Sequence, residues 1–264
     1  MNYTLAKSVF ENYLSQYDRT NDKVRLKTAH TFGVVKQAED IARRMDLSPE
    51  DIELARLIAL LHDIGRFEQL KCFDSFEPDT MDHAAYGVEL LFEKGMIRDF
   101  ISEGTYDSII RTAIAKHSDL ALENITDERT LMHARLIRDA DKLDNCRVKL
   151  YDAIETLTDV SAEELGSQEI TPVIYDTIFQ NRCILSSDRV TKMDYWVSYI
   201  AYFFDINFSA SFDIIAEKDY LRRIVNRIPY SNPKTAKEMA EIFKYLENFI
   251  QTHTSAGSVN SKTI

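Results

Sequence analysis

Residues 48–66 read Ser48-Pro49-Glu50-Asp51-Ile52-Glu53-Leu54-Ala55-Arg56-Leu57-Ile58-Ala59-Leu60-Leu61-His62-Asp63-Ile64-Gly65-Arg66, and this stretch decides the fold class. Ser48 suits a helix N-cap, Pro49 the first helical position and Asp51 the acidic third, so a helix is expected to start here. Leu54, Leu57, Ile58 and Leu61 recur at i, i+3, i+4 and i+7, the period of one buried helical face. Gly65 reads as its stop.

The same period runs outward in both directions. Residues 22–45 place Val34, Ala38, Ile41 and Met45 on one face, and residues 82–94 predict a short helix closed by Gly95. Residues 106–117 carry Ile110, Ala113 and Ile114 in register. Residues 127–158 predict one long helix through Met132, Leu136, Ala140, Leu143, Leu150 and Ile154. Later helices are expected to open at Thr171-Pro172, near Ser187-Asp188 and at Asn232-Pro233. Leu70–Asp82 is the longest stretch without a period. No segment alternates as a strand does, and there is no internal repeat.

Composition points the same way. Seven Gly and five Pro in 264 residues are well under half of average usage, about 12% together, and folds made of many tight turns need more of both. The expected class is therefore all-α. Residues 1–158 are read as a metal-binding helical domain, 159–254 as a helical extension packed on it, and 255–264 as a flexible tail. A net charge of −11 speaks against a nucleic-acid polymer as partner. The most apolar run, Trp196–Phe204, is nine residues, far short of the roughly 20 that span a bilayer. No signal-peptide pattern opens the chain, and Cys72, Cys146 and Cys183 are spaced as thiols rather than as a disulfide framework. A cytoplasmic protein is expected.

The chemistry lies in the histidines. There are six, and His30, His62, His83 and His117 each sit at the apolar edge of a different expected helix. Burying four imidazoles without a common partner is costly, whereas a metal centre satisfies them together. Asp63 directly follows His62. Adjacent helical residues point about 100° apart, so this carboxylate can turn from the ion bound by His62 towards a second one. Imidazole with carboxylate suits Fe, Mn, Zn, Ni or Co. A further carboxylate must come from Arg138-Asp139-Ala140-Asp141-Lys142-Leu143-Asp144-Asn145. Asp139 and Asp141 lie about 160° apart around a helix, and periodicity does not choose between Asp139, Asp141 and Asp144.

His30, then His62-Asp63 within Leu-Leu-His-Asp-Ile-Gly-Arg, then Asp141 within Asp-Ala-Asp-Lys-Leu-Asp resembles the H…HD…D signature of the HD-domain superfamily of metal-dependent phosphohydrolases, over roughly residues 22–150. The resemblance implies an all-α HD-domain bundle in which His30, His62, Asp63 and Asp141 hold one metal. It thus selects Asp141, leaving Asp139 and Asp144 to support it or to face substrate. In two-metal branches, histidines placed as His83 and His117 are hold the second ion. HD-GYP cyclic-dinucleotide phosphodiesterases share this arrangement, but this chain has no second histidine beside His117 and carries Arg66 where they have lysine.

The function so implied is hydrolysis of a phosphate ester in a nucleotide or another small phosphorylated metabolite, with two divalent transition-metal ions generating a bridging hydroxide. Asp63 would bridge, Arg66 would take the non-bridging phosphoryl oxygens, and Asp144 is one candidate for the leaving-group acid. Lys27, one turn before His30, carries less weight than Arg66. His133 has no slot in the signature and reads as structural or supporting, and Leu70–Asp82 is placed to cover the site. A di-iron oxygenase resembling myo-inositol oxygenase, or a nucleotide-sensing module without turnover, shares the same ligand set. The helices past residue 158 carry no recognisable chemistry; they are candidates for covering the site or for a homo-oligomer interface.

Overall fold

Polar caps set where the helices of the computed structural model begin; it describes residues 1–77 and 79–260. After α1 (Tyr3–Leu14), the Asn21 side chain accepts from the amides of Lys23 and Val24 and opens α2 (Asp22–Arg44). Ser48 accepts from the Asp51 amide, and with Pro49 in the first position α3 runs Pro49–Leu61, as its sequence predicts. Next come α4 (Ile64–Phe73) and α5 (His83–Val88), the latter capped by Asp82 on the Ala85 amide and continued by a wider π turn, Glu89–Glu93. Then follow α6 (Ile97–Phe100), α7 (Asp107–Lys116) and α8 (Glu128–Tyr151). Among the described residues there is no strand, and no helix is long and apolar enough to cross a membrane.

The chain forms two compact units, Met1–Asp144 and Asn145–Ile264. Their border falls inside α8, whereas the sequence reading set it at residue 158. The long helix expected over 127–158 is also broken: it ends at Tyr151, Ala153 is extended, and α9 (Ile154–Thr158) restarts. Leu150 and Ile154 stay four residues apart across the break, so a 3.6-residue period does not register it.

The second unit continues with α10 (Ala162–Ser167), α11 (Pro172–Ile178), α12 (Lys192–Ala201), α13 (Ser209–Glu217), α14 (Tyr220–Val225) and α15 (Pro233–His253). Near Ser187 there is only a 3₁₀ turn, Ser186–Asp188; the helix itself opens at Thr191, which forms a capping box with Asp194. Part of the expected tail is helical too. Ser255–Asn260 is α16, and the Ser255 amide and hydroxyl donate to the Asp213 carboxylate at 2.9 and 2.5 Å. Residues 261–264 of that expected tail lie outside the described residues.

In the first unit α2 lies along α3, α3 meets α1 and α7, and α5 is held between α4 and α7. Val34, Ala38 and Ile41 of α2, Leu54, Ile58 and Leu61 of α3, and Ile110 and Ile114 of α7 are fully buried between them. Each large side chain among these contributes about 1.5–3 kcal/mol by leaving water.

Gly65 does not stop α3; it lies in the first turn of α4. A Cβ there would meet the His83 carbonyl oxygen at 2.2 Å and the Gly87 amide nitrogen at 2.9 Å. The missing side chain therefore lets the start of α5, which bears His83, lie directly on α4. A Cβ at Gly87, by contrast, would meet Ile64, the Gly65 amide and Ile114 only at 3.4–3.8 Å, which is ordinary contact. Gly65→Ala is expected to cost ~1–3 kcal/mol, as overpacking against backbone does, read as a lower urea midpoint.

Candidate metal centre

Four helix ends and two helix interiors converge in the first unit. His30 comes from the middle of α2 and Asp141 from α8. His62 is the first residue past α3, Asp63 occupies the N-cap position of α4 without a side-chain capping bond, His83 opens α5, and His117 is the first residue past α7. All four histidines and Asp63 are buried, and the Asp141 side chain is the most open of the set at 23% exposed.

The backbone sets the direction in which the rings point. A helix leaves its last carbonyls without partners inside the helix. His62 Nδ1 donates to the Ala59 carbonyl and His117 Nδ1 to the Ile114 carbonyl, both at 2.7 Å. His30 Nδ1 donates to Asp144 Oδ2 at 2.8 Å. With Nδ1 so anchored in all three, each Nε2 is turned to the centre, the arrangement of metal-binding histidines.

Asp63 divides its two oxygens between two groups of donors. Its Oδ2 lies 3.0 Å from His62 Nε2 and 3.8 Å from His30 Nε2, and His30 Nε2 is 2.9 Å from Asp141 Oδ1. Its Oδ1 lies 3.3 Å from His83 Nε2 and 3.6 Å from His117 Nε2. His83 Nε2 and His117 Nε2 are 3.1 Å apart. His30, His62 and Asp141 form one cluster able to hold an ion, and His62, Asp63 and His117 another.

Cations already stand at this carboxylate. Lys27 Nζ, 13% exposed, pairs with Asp63 Oδ2, and Arg66 Nε lies 3.7 Å from Oδ1. Burial works to raise the Asp63 pKa, but Lys27 and the neighbouring imidazoles outweigh it and hold the carboxyl well below its usual range. Burial, with His117 and Arg66, pushes His83 down to about 2, which keeps it neutral and able to ligate. At His30, burial and Lys27 oppose protonation, yet the bonds to Asp141 and Asp144 prevail and raise it.

The donor set fits metal binding. His62 Nε2 and Asp63 Oδ1 are buried and have no hydrogen-bond partner, an unfavourable state for polar atoms that a cation between them relieves. A comparison with protein families decides the rest: the HD domain matches residues 28–146. Residues 28–146 are an HD domain. HD domains are generally metal-dependent hydrolases, and the helical fold and the imidazole–carboxylate donors agree with that family. No curated protein and no solved structure matches the chain.

Within the HD domain, several residues stand elsewhere than their sequence suggested. Asp144, the candidate leaving-group acid, has no exposure and sits behind His30 on Nδ1, so it orients the ring and does not face substrate. Gly33 makes room for it: a Cβ there would lie 1.9 Å from Asp144 Oδ1. Asp144→Ala is expected to weaken binding of the first ion about 10–100-fold, the usual cost of removing a ligand's outer partner, measured by Mn²⁺ titration calorimetry. Arg66 is partly engaged away from the centre, its Nη1 donating to Gln69 Oε1 at 2.6 Å and to the Phe76 carbonyl at 3.1 Å. Buried Gln69 in turn donates to the Glu77 carbonyl and to Thr80, which ties residues past α4 back to that helix.

Lys27 carries more weight than its sequence reading allowed. The available signal is its position three residues before His30, on the same side of α2. His133 takes no part in the centre. Its Nε2 lies 3.0 Å from Asp51 Oδ1 in the first turn of α3. Burial opposes ionisation of Asp51, but His133, Ser48 and Arg129 outweigh it and hold the carboxyl at about 2.

Proposed function

We propose that this protein hydrolyses a phosphate ester of a small phosphorylated metabolite, foremost a nucleotide. The observation that carries the reading is Asp63, with one oxygen in each donor group and a cationic side chain against each oxygen. His30, His62, Asp63, His83, His117 and Asp141 would hold two divalent ions, which would supply Lewis acidity and lower the pKa of a water. The chain's own residues do the rest. Asp63 keeps both donor groups in register, and the Nδ1 anchors aim three imidazoles inward. Asp141, Lys27 and Arg66 are the more exposed members, at 23, 13 and 18%, so substrate approaches on their side. Two cations there favour an anionic group and suit phosphoryl oxygens, with Arg66 able to present a planar fork.

The test is a panel of phosphomonoesters and phosphodiesters offered to protein loaded with Mn²⁺, Fe²⁺, Co²⁺, Ni²⁺ or Zn²⁺. Release of phosphate or of a phosphomonoester, lost on chelation and restored by metal, supports the reading. Absence of turnover across the panel, or oxygen uptake that depends on substrate, overturns it.

A further inference from the structure

The second donor group, His83 with His117, includes the first residue of a turn. α7 ends at Lys116, and residues 117–120 follow as irregular backbone. Such a segment has exposed or unpaired carbonyls unless something supplies donors. Here the donor is the Arg138 guanidinium, 2% exposed, from α8. Its Nη1 donates to the carbonyls of Lys116 at 3.1 Å, His117 at 3.3 Å and Asp119, and its Nη2 to the Leu120 carbonyl at 3.4 Å.

Arg138, Asp141 and Asp144 follow one another at three-residue steps, so they share one side of α8. That side reaches both halves of the centre. Asp141 meets His30 Nε2, Asp144 holds His30 Nδ1, and Arg138 grips the backbone of His117. We propose that Arg138 is a positioning residue that sets His117 and thereby decides whether the protein retains its second ion. The assignment rests on the two-metal reading above.

Geometry separates this role from general bracing. The His117 ring is anchored at Nδ1 by the Ile114 carbonyl, which fixes its rotation, while Arg138 fixes the backbone that carries it. With both in place, His117 Nε2 comes within 3.1 Å of His83 Nε2 and 3.6 Å of Asp63 Oδ1. None of the Arg138 bonds given above reaches His30 or His62, which are anchored by Asp144 and Ala59. Arginine suits the task because one rigid planar fork can meet several carbonyls at once, whereas a lysine ammonium is a point donor on a flexible stem.

The experiment strips the full chain of metal and titrates it with Mn²⁺, following the stoichiometry by calorimetry and elemental analysis, for the wild type, Arg138→Lys and Arg138→Met. Wild type is expected to take two ions per chain. Arg138→Met is expected to keep the first ion at wild-type affinity and to bind the second about 10–100-fold more weakly, as outer-partner losses do. Arg138→Lys should fall between them. Retention of the first ion shows that the variant is folded, and Arg138→Lys carries the comparison if Arg138→Met does not fold. The proposal is overturned if folded variants bind both ions as wild type does, if they lose both ions together, or if neither variant folds. Wild-type protein that takes up fewer than two ions overturns the two-metal reading and this assignment with it; a second ion bound at wild-type affinity in every folded variant overturns the assignment alone.

Discussion

Asp63→Asn is expected to lower phosphate-ester hydrolysis by at least ~10²-fold, the scale of losing a group that stabilises charge in the transition state. The argument rests on both carboxylate oxygens being in use. Oδ2 faces His62 and His30, and Oδ1 faces His83 and His117. Asparagine keeps one acceptor oxygen but puts an NH₂ in place of the other. That group has no lone pair to offer a cation, so one donor group loses its carboxylate whichever way the amide turns. Asparagine also suits the cap position at the start of α4, so the variant should fold, which a thermal melt checks. Elemental analysis should show the metal content falling with the rate. Full activity in folded Asp63→Asn protein would remove Asp63 from the mechanism.

Chelation is the second large effect. Asp63 and Asp141 are brought together among four imidazoles, and two of the buried polar atoms, His62 Nε2 and Asp63 Oδ1, have no hydrogen-bond partner. Only the native arrangement assembles these donors, so metal binds the folded state in preference to the unfolded one. Saturation at 100 to 1,000 times the dissociation constant should therefore stabilise the protein by about 2.7–4.1 kcal/mol. Adding a chelator should remove that increment and lower the melting temperature, and returning Mn²⁺ or Zn²⁺ should restore it. Identical melts with and without chelator would show that the donors do not act as a metal centre.

How much of this was legible beforehand differs between particular residues. The helix over Pro49–Leu61 could be read in full, because its cap, proline and apolar stripe are all local signals. His30, His62, His83 and His117 could be collected from their helix edges, since a buried imidazole on an apolar stripe needs a partner. The choice of Asp141 over Asp139 and Asp144 was not available from periodicity. It came from family resemblance, and the structure brings Asp141 within 2.9 Å of His30 while sending Asp144 to the opposite nitrogen of that ring. Gly65 was misread because a glycine after a helical stripe usually ends the helix; its reason here is the His83 carbonyl, 18 residues further along the chain.

The sequence by itself determined the helical class, the positions of most helix starts and the chemical type of the donors. These follow from propensity, capping and periodicity, which act over a few residues. Only the tertiary structure decided that Asp63 turns one oxygen to each donor group, that Lys27 pairs with it, and that Arg138 closes the end of α7. Those relations depend on how helices far apart in sequence cross. Ring directions and ion pairs are set by the packed helices together, so no local pattern along the chain encodes them.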